Sequence, residues 1–136
     1  MNLEQARFNM VEQQIRTWEV LDPAVLDLLY AVPREDFVPA AYRKLAFADM
    51  EIPIGEGESM MAPRIEARIL QALSLRKTDR VLEVGTGSGY LTALLARCAA
   101  HVYSRSDCVE NIRRANPAPP RKVVRKRNLT RGREQF

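Results

Sequence analysis

Phe8, Val11, Ile15 and Trp18 recur at spacings of three, four and three, which predicts one apolar face of a helix over roughly residues 3–18. Asp22-Pro23 reads as the start of a second helix, because Asp22 can cap it and proline suits the first helical position. Val25, Leu28 and Leu29 give that helix its apolar face, and Pro33 ends it. A short turn and a short helix around Ala40 to Leu45 follow. "MEIPIGEGESMMAP" (50–63) holds two glycines and two prolines and predicts mostly loop. Pro63 opens another helix, with Ile65, Ile69, Leu70 and Leu73 facing inward. "RVLEV" (80–84) predicts a buried strand, "GYLTALLARCA" (89–99) a helix and "HVYS" (101–104) a second strand. Strand, glycine loop, helix, strand is half of a doubly wound α/β fold.

Charge divides the chain. Residues 1–104 hold 11 Lys/Arg against 14 Asp/Glu, whereas residues 105–136 hold 10 against 3, so a mildly acidic body carries a strongly basic tail. That tail has 9 apolar residues in 32, no amphipathic repeat and "NPAPP" at its middle, which predicts disorder. The expected division is 1–62 (helical and loop region), 63–104 (first part of an α/β domain) and 105–136 (basic tail). No apolar run reaches the roughly 18 residues of a membrane span, and the start of the chain lacks the order of a signal peptide. Cys98 and Cys108 have no metal-ligand spacing and read as free thiols of a cytoplasmic protein.

The candidate chemistry lies in Gly85-Thr86-Gly87-Ser88-Gly89. A phosphate-binding P-loop needs a lysine after its last glycine, and Tyr90 stands there. A dinucleotide fingerprint is Gly-x-Gly-x-x-Gly, and here the third glycine comes one residue early. A tight strand-to-helix turn with no ligand is a further reading. An apolar strand ending in an acid, then Gly-x-Gly-x-Gly, resembles the first motif of class I S-adenosylmethionine-dependent methyltransferases. Such a cofactor carries no phosphate, so no lysine is required. On that reading Glu83 supplies an acceptor and charge, Gly85 and Gly87 leave bare backbone, and Ser88 offers a hydroxyl.

"VPREDFVP" (32–39), "IPIGEGESMMAP" (52–63) and "VLEVGTGSGYLTALLA" (81–96) stand in an order and spacing that resemble the protein-L-isoaspartate O-methyltransferases. "MVEQQIRTWEVLDPAVLDLLYAVPRE" is similar to that family's N-terminal helical region, and the likeness covers roughly residues 8–104. The resemblance implies a partial Rossmann-like methyltransferase fold. It implies S-adenosylmethionine as cofactor and methyl transfer to the carboxylate of L-isoaspartyl residues in damaged proteins, a repair reaction. By resemblance Glu83, Gly85, Thr86, Gly87, Ser88 and Gly89 match the cofactor motif, and the loop 55–63 matches the segment that closes over cofactor and substrate.

Two departures qualify this. The family usually reads G-x-G-Q-T-I-S-x-P in that loop, with the last serine at the active site. Here Met61 occupies the serine position and Glu58 the glutamine position, so Ser59, in place of threonine, is the remaining catalytic candidate. Met61 cannot usefully hydrogen-bond a carboxylate, and packing of Met60-Met61 is the plain alternative. After "HVYS" the family continues with an apolar residue and a ribose-binding glutamate. This chain continues Arg105-Ser106-Asp107, with the acid one place late. The tail could be a nucleic-acid-binding arm, but no aromatic residue precedes Phe136 and no binding motif is present. The abrupt Arg/Pro-rich change instead points to an out-of-frame continuation. With suitable codons, 125–130 read one base later gives Ala-Asn-Val-Thr-Leu, like a family strand start. The expectations are therefore a truncated methyltransferase with weak or no activity, or a non-catalytic binding module, with no stable contact between 110–136 and the body.

Overall fold

The computed structural model describes residues 2–105 and the backbone of residues 122–125. Helix α1 (Leu3–Asn9) starts where the Asn2 side chain accepts the Gln5 N–H at 3.2 Å. It widens into a π-helical turn over Met10–Ile15, tightens to a 3₁₀ turn over Arg16–Trp18, and ends at Glu19 with φ 60°. The widened turn shifts the phase of the helix, so the face predicted at a 3.6-residue period breaks up. Met10, Val11 and Ile15 are buried, but Phe8 is 50% and Trp18 42% exposed. Helix α2 (Pro23–Ala31) begins as predicted, with the Asp22 carboxylate accepting from the Ala24 N–H at 2.9 Å. It stops where Val32, held extended before Pro33, leaves the helix. Two 3₁₀ turns, Arg34–Phe37 and Ala40–Leu45, complete this region.

The segment expected as loop instead forms a hairpin. Strands β1 (Ile52–Gly55) and β2 (Glu58–Met60) pair antiparallel, Ile52 opposite Met60 and Pro53 opposite Ser59. Gly55, Glu56 and Gly57 all turn with positive φ, so the two glycines close a turn between strands rather than dissolve them. Helix α3 (Pro63–Leu73) buries Ala67, Ile69 and Leu70 and ends at left-handed Ser74. Strand β3 (Arg80–Val84), helix α4 (Tyr90–Cys98) and strand β4 (His101–Arg105) follow the predicted order.

A further strand, β5 (Lys122–Arg125), corrects the expectation for the tail. It pairs parallel with β3, Val81 with Lys122 through Val84 with Arg125. Composition averaged over 32 residues hides four residues in which Val123-Val124 suit a strand, and the free edge of β3 gives them a ladder to join. The expectation of disorder, and of no contact with the body, fails for these four. Arg105 closes β4, and the remaining tail residues, 106–121 and 126–136, Asp107 and Cys108 included, lie outside the described residues.

The sheet order is β4-β3-β5, with β3 paired parallel on both sides. Helix α4 lies against β4, while α2 packs on both α3 and α4. Buried residues from Met10 to Leu95 form one hydrophobic cluster that includes Ile52, Met60, Met61, Val81 and Tyr90, so helical region, hairpin and sheet share a core.

Candidate functional site

From β3 the chain crosses to β4 on one side, while β5 occupies the other. In open α/β sheets such a change of direction leaves a crevice beyond the carboxyl ends of the strands. The glycine loop emerges there. Gly85 donates its N–H to the Arg105 carbonyl at 2.6 Å, and the Thr86 and Ser104 hydroxyls meet at 2.6 Å. These two contacts fasten the carboxyl ends of β3 and β4 together. Gly89 (φ 83°) caps α4, donates to the Thr86 carbonyl at 3.0 Å, and accepts the Ala93 N–H at 3.0 Å. A Cβ placed on Gly89 would have no atom within 4 Å, so the turn is bordered by open space. Ser88 Oγ accepts the Tyr90 N–H at 3.4 Å.

Glu83 sits at the inner face of the strand that leads into the turn. Its side chain is fully buried, because alternation along β3 turns residues 81 and 83 inward. Oε2 accepts the Thr92 hydroxyl at 2.7 Å, in the first turn of α4. The carboxylate thus ties β3 to α4 on either side of the glycine turn.

The hairpin carries the other candidates. Ser59 is exposed on β2, and its neighbour Met60 is buried. Met61 is 7% exposed and belongs to the core cluster, which matches the packing alternative for Met60-Met61. Its carbonyl accepts from Arg34 Nη2 at 2.8 Å. Glu58 is half-buried. The structure therefore gathers 83–89 at the end of the parallel sheet and sets Ser59 on the separate two-stranded sheet.

Sequence reading missed Arg34, Glu66, Tyr90, Thr92 and Ser104. Arg34 and Glu66 form an ion pair at 2.5 Å, both fully buried, and the Arg34 guanidinium lies over the Tyr90 ring at 5.0 Å. Burial raises the Tyr90 phenol above its ordinary range, and the nearby Glu66 charge adds to the shift. Glu66 stands on the inward face of α3, one residue from Ile65, and Tyr90 directly follows the last glycine. Those positions were the only signals in the sequence for them.

This geometry is not that of a P-loop. The loop contains no lysine, and Tyr90, which stands at the lysine position of a P-loop, is 1% exposed and packs into the core. The bare turn, its open flank and the two hydroxyl residues 86 and 88 fit an adenosyl amino acid as far as the described residues reach.

A family model, "Protein-L-isoaspartate(D-aspartate) O-methyltransferase (PCMT)", matches residues 5–128, past residue 104 where the sequence likeness was expected to end. A protein-L-isoaspartate O-methyltransferase of Methylorubrum extorquens (strain PA1) is 48% identical over 100 residues, 74% of this chain and 44% of the relative. Protein-L-isoaspartate O-methyltransferase 2 of Anaeromyxobacter sp. (strain Fw109-5) is 47% identical over 100 residues, 74% of this chain and 41% of that one. The chain thus spans less than half the length of these curated relatives. Among solved structures, a Plasmodium falciparum chain assigned to the same methyltransferases, in complex with S-adenosyl-L-homocysteine, superposes with a TM-score of 0.61 at 22% identity. The match covers 78% of this chain and 49% of that one. At that identity it supports the fold, an α/β arrangement of methyltransferase type. With the family model spanning most of the chain and relatives near one-half identity, the chain belongs to the protein-L-isoaspartate O-methyltransferase family.

Proposed function

We propose that this chain carries the cofactor-loop half of an S-adenosylmethionine-dependent carboxyl methyltransferase acting on L-isoaspartyl residues of damaged proteins in the cytoplasm. The observation that carries the reading is the lysine-free glycine turn at 85–89, placed at the carboxyl end of the central strand where sheet direction changes. When bound, S-adenosylmethionine supplies a methyl group on a sulfonium, an activated leaving group. Gly85, Gly87 and Gly89 keep side chains out of its approach, and Thr86 and Ser88 offer hydroxyls. Glu83 holds the turn against α4 through Thr92. The acceptor carboxylate is already ionised at neutral pH, so it needs no base. What the chain must supply is alignment and exclusion of water, and exposed Ser59 is the hydroxyl available to hold the acceptor.

Binding without efficient turnover is the finer reading. Its support is Met61, whose side chain is packed in the core where the family pattern puts a serine. The test pairs calorimetry with S-adenosylhomocysteine and a radiolabelled-methyl assay on an isoaspartyl peptide. Cofactor binding with methyl transfer near background is expected. Tight binding of a nicotinamide dinucleotide, with none of S-adenosylhomocysteine, would overturn the cofactor reading, and brisk turnover would overturn the reading of Met61.

A further inference from the structure

We propose that Arg34 is a positioning residue that straps the hairpin carrying Ser59 to the first residue of the helix carrying the glycine turn, so that one side chain sets both sides of the site. The inference rests on the function proposed above. Arg34 is completely buried and spends its planar fork on three separate stretches of chain. Nε donates to the Ala46 carbonyl at 2.7 Å, Nη1 to Glu66 Oε2 at 2.5 Å, and Nη2 to the Met61 carbonyl at 2.8 Å. The flat face of the same guanidinium covers Tyr90 at 5.0 Å.

Each end of the strap abuts a site element. Met61 follows β2 directly, two residues after Ser59, so fixing its carbonyl fixes how the hairpin leaves the sheet. Tyr90 follows Gly89 directly, and its N–H donates to Ser88 Oγ, so a shift of the ring shifts the glycine turn. Phe37, from the same 3₁₀ turn as Arg34, packs on Tyr90 with ring centroids 5.5 Å apart. The segment 34–37 therefore grips the start of α4 while Arg34 reaches across to the hairpin.

Fold stability alone does not explain this design. A buried ion pair is commonly no better for stability than well-packed apolar residues. Only an arginine fork satisfies three acceptors in one plane while stacking on a ring; a lysine is a point charge on a flexible stem. Arg34→Lys keeps the charge beside Glu66 and gives up the fork. Tyr90→Leu keeps apolar bulk and gives up the ring, and Tyr90→Phe keeps the ring as a control.

Amide hydrogen exchange on the full chain, with and without S-adenosylhomocysteine, tests the strap. In the parent protein the ligand should slow exchange at 52–60 as well as at 85–92. In Arg34→Lys and in Tyr90→Leu, slowing should persist at 85–92 and fall about tenfold at 52–60, while Tyr90→Phe behaves as the parent. Variants that pass the protection on undiminished would overturn the proposal. So would loss of folding in both, since that marks a purely structural hub. If one fails to fold, the other carries the test. A parent protein that ignores the ligand sinks the cofactor reading instead, and the ligand-free arm then decides the strap. Faster exchange at both 52–60 and 89–92 in Arg34→Lys, with 26–31 unchanged, supports it; acceleration at one end alone overturns it.

Discussion

Gly87 sits at φ 57°, in the left-handed region, on the turn whose flank is open. A β-branched residue there pays in backbone strain and also projects a side chain into the approach. Gly87→Val should therefore reduce S-adenosylhomocysteine binding below calorimetric detection, and binding within threefold of the parent protein would refute the placement. Tyr90 gives the residue scale a pH signature. Its phenol titrates above the ordinary value of about 10 because burial, then the Glu66 charge, disfavours the phenolate. The folded form thus holds its proton to higher pH than the unfolded chain does. The stability from the neutral phenol is full below about pH 10 and is lost as pH climbs above it. Urea midpoints measured from pH 8 to 11 should fall more steeply at the alkaline end for the parent than for Tyr90→Phe. Equal slopes would show that Tyr90 is not what titrates.

Among the elements, α2 was readable because its signals are local. Asp22 caps, Pro23 leads and Pro33 stops, each acting within a few residues. Asp22→Ala should cost about 0.5–2 kcal/mol, read as a lowered urea midpoint with an unchanged slope. A neutral result would mean that Gln71 Oε1, which accepts the N–H groups of Leu21 and Asp22, suffices to hold the helix start. The first helix and the hairpin were read less well. The π-helical turn over 10–15 answers to packing in the common core, which no 3.6-residue count contains. The two glycines in 52–60 did mark a turn, but pairing across it depends on Ile52 and Met60 both finding that core.

At the scale of the molecule, β5 decides how the basic tail is regarded. A strand hydrogen-bonded beside β3 resists proteases that need an extended, mobile backbone. Trypsin acting on the native protein should cleave after Lys122 and Arg125 far more slowly than in urea. Equal rates would remove β5 from the sheet. The central place of β3, flanked by β4 and β5, is also what puts the glycine turn at the middle strand of the sheet rather than at an edge.

The sequence by itself determined whatever depends on neighbours along the chain. The helix caps, the order strand–glycine turn–helix–strand and the absence of a phosphate-binding lysine were legible there, and with the motifs 32–39 and 52–63 so was the family. Tertiary structure decided whatever depends on partners far away in sequence. It buried Glu83 against Thr92 and sent Met61 into the core. It joined Arg34 to Met61, Glu66 and Tyr90 across separations of 27 to 56 residues. It paired a four-residue strand within the basic tail to β3. The physical reason is common to all four. A buried charge, a packed side chain or an edge strand takes its position from whichever group satisfies it, and the fold alone brings that group near.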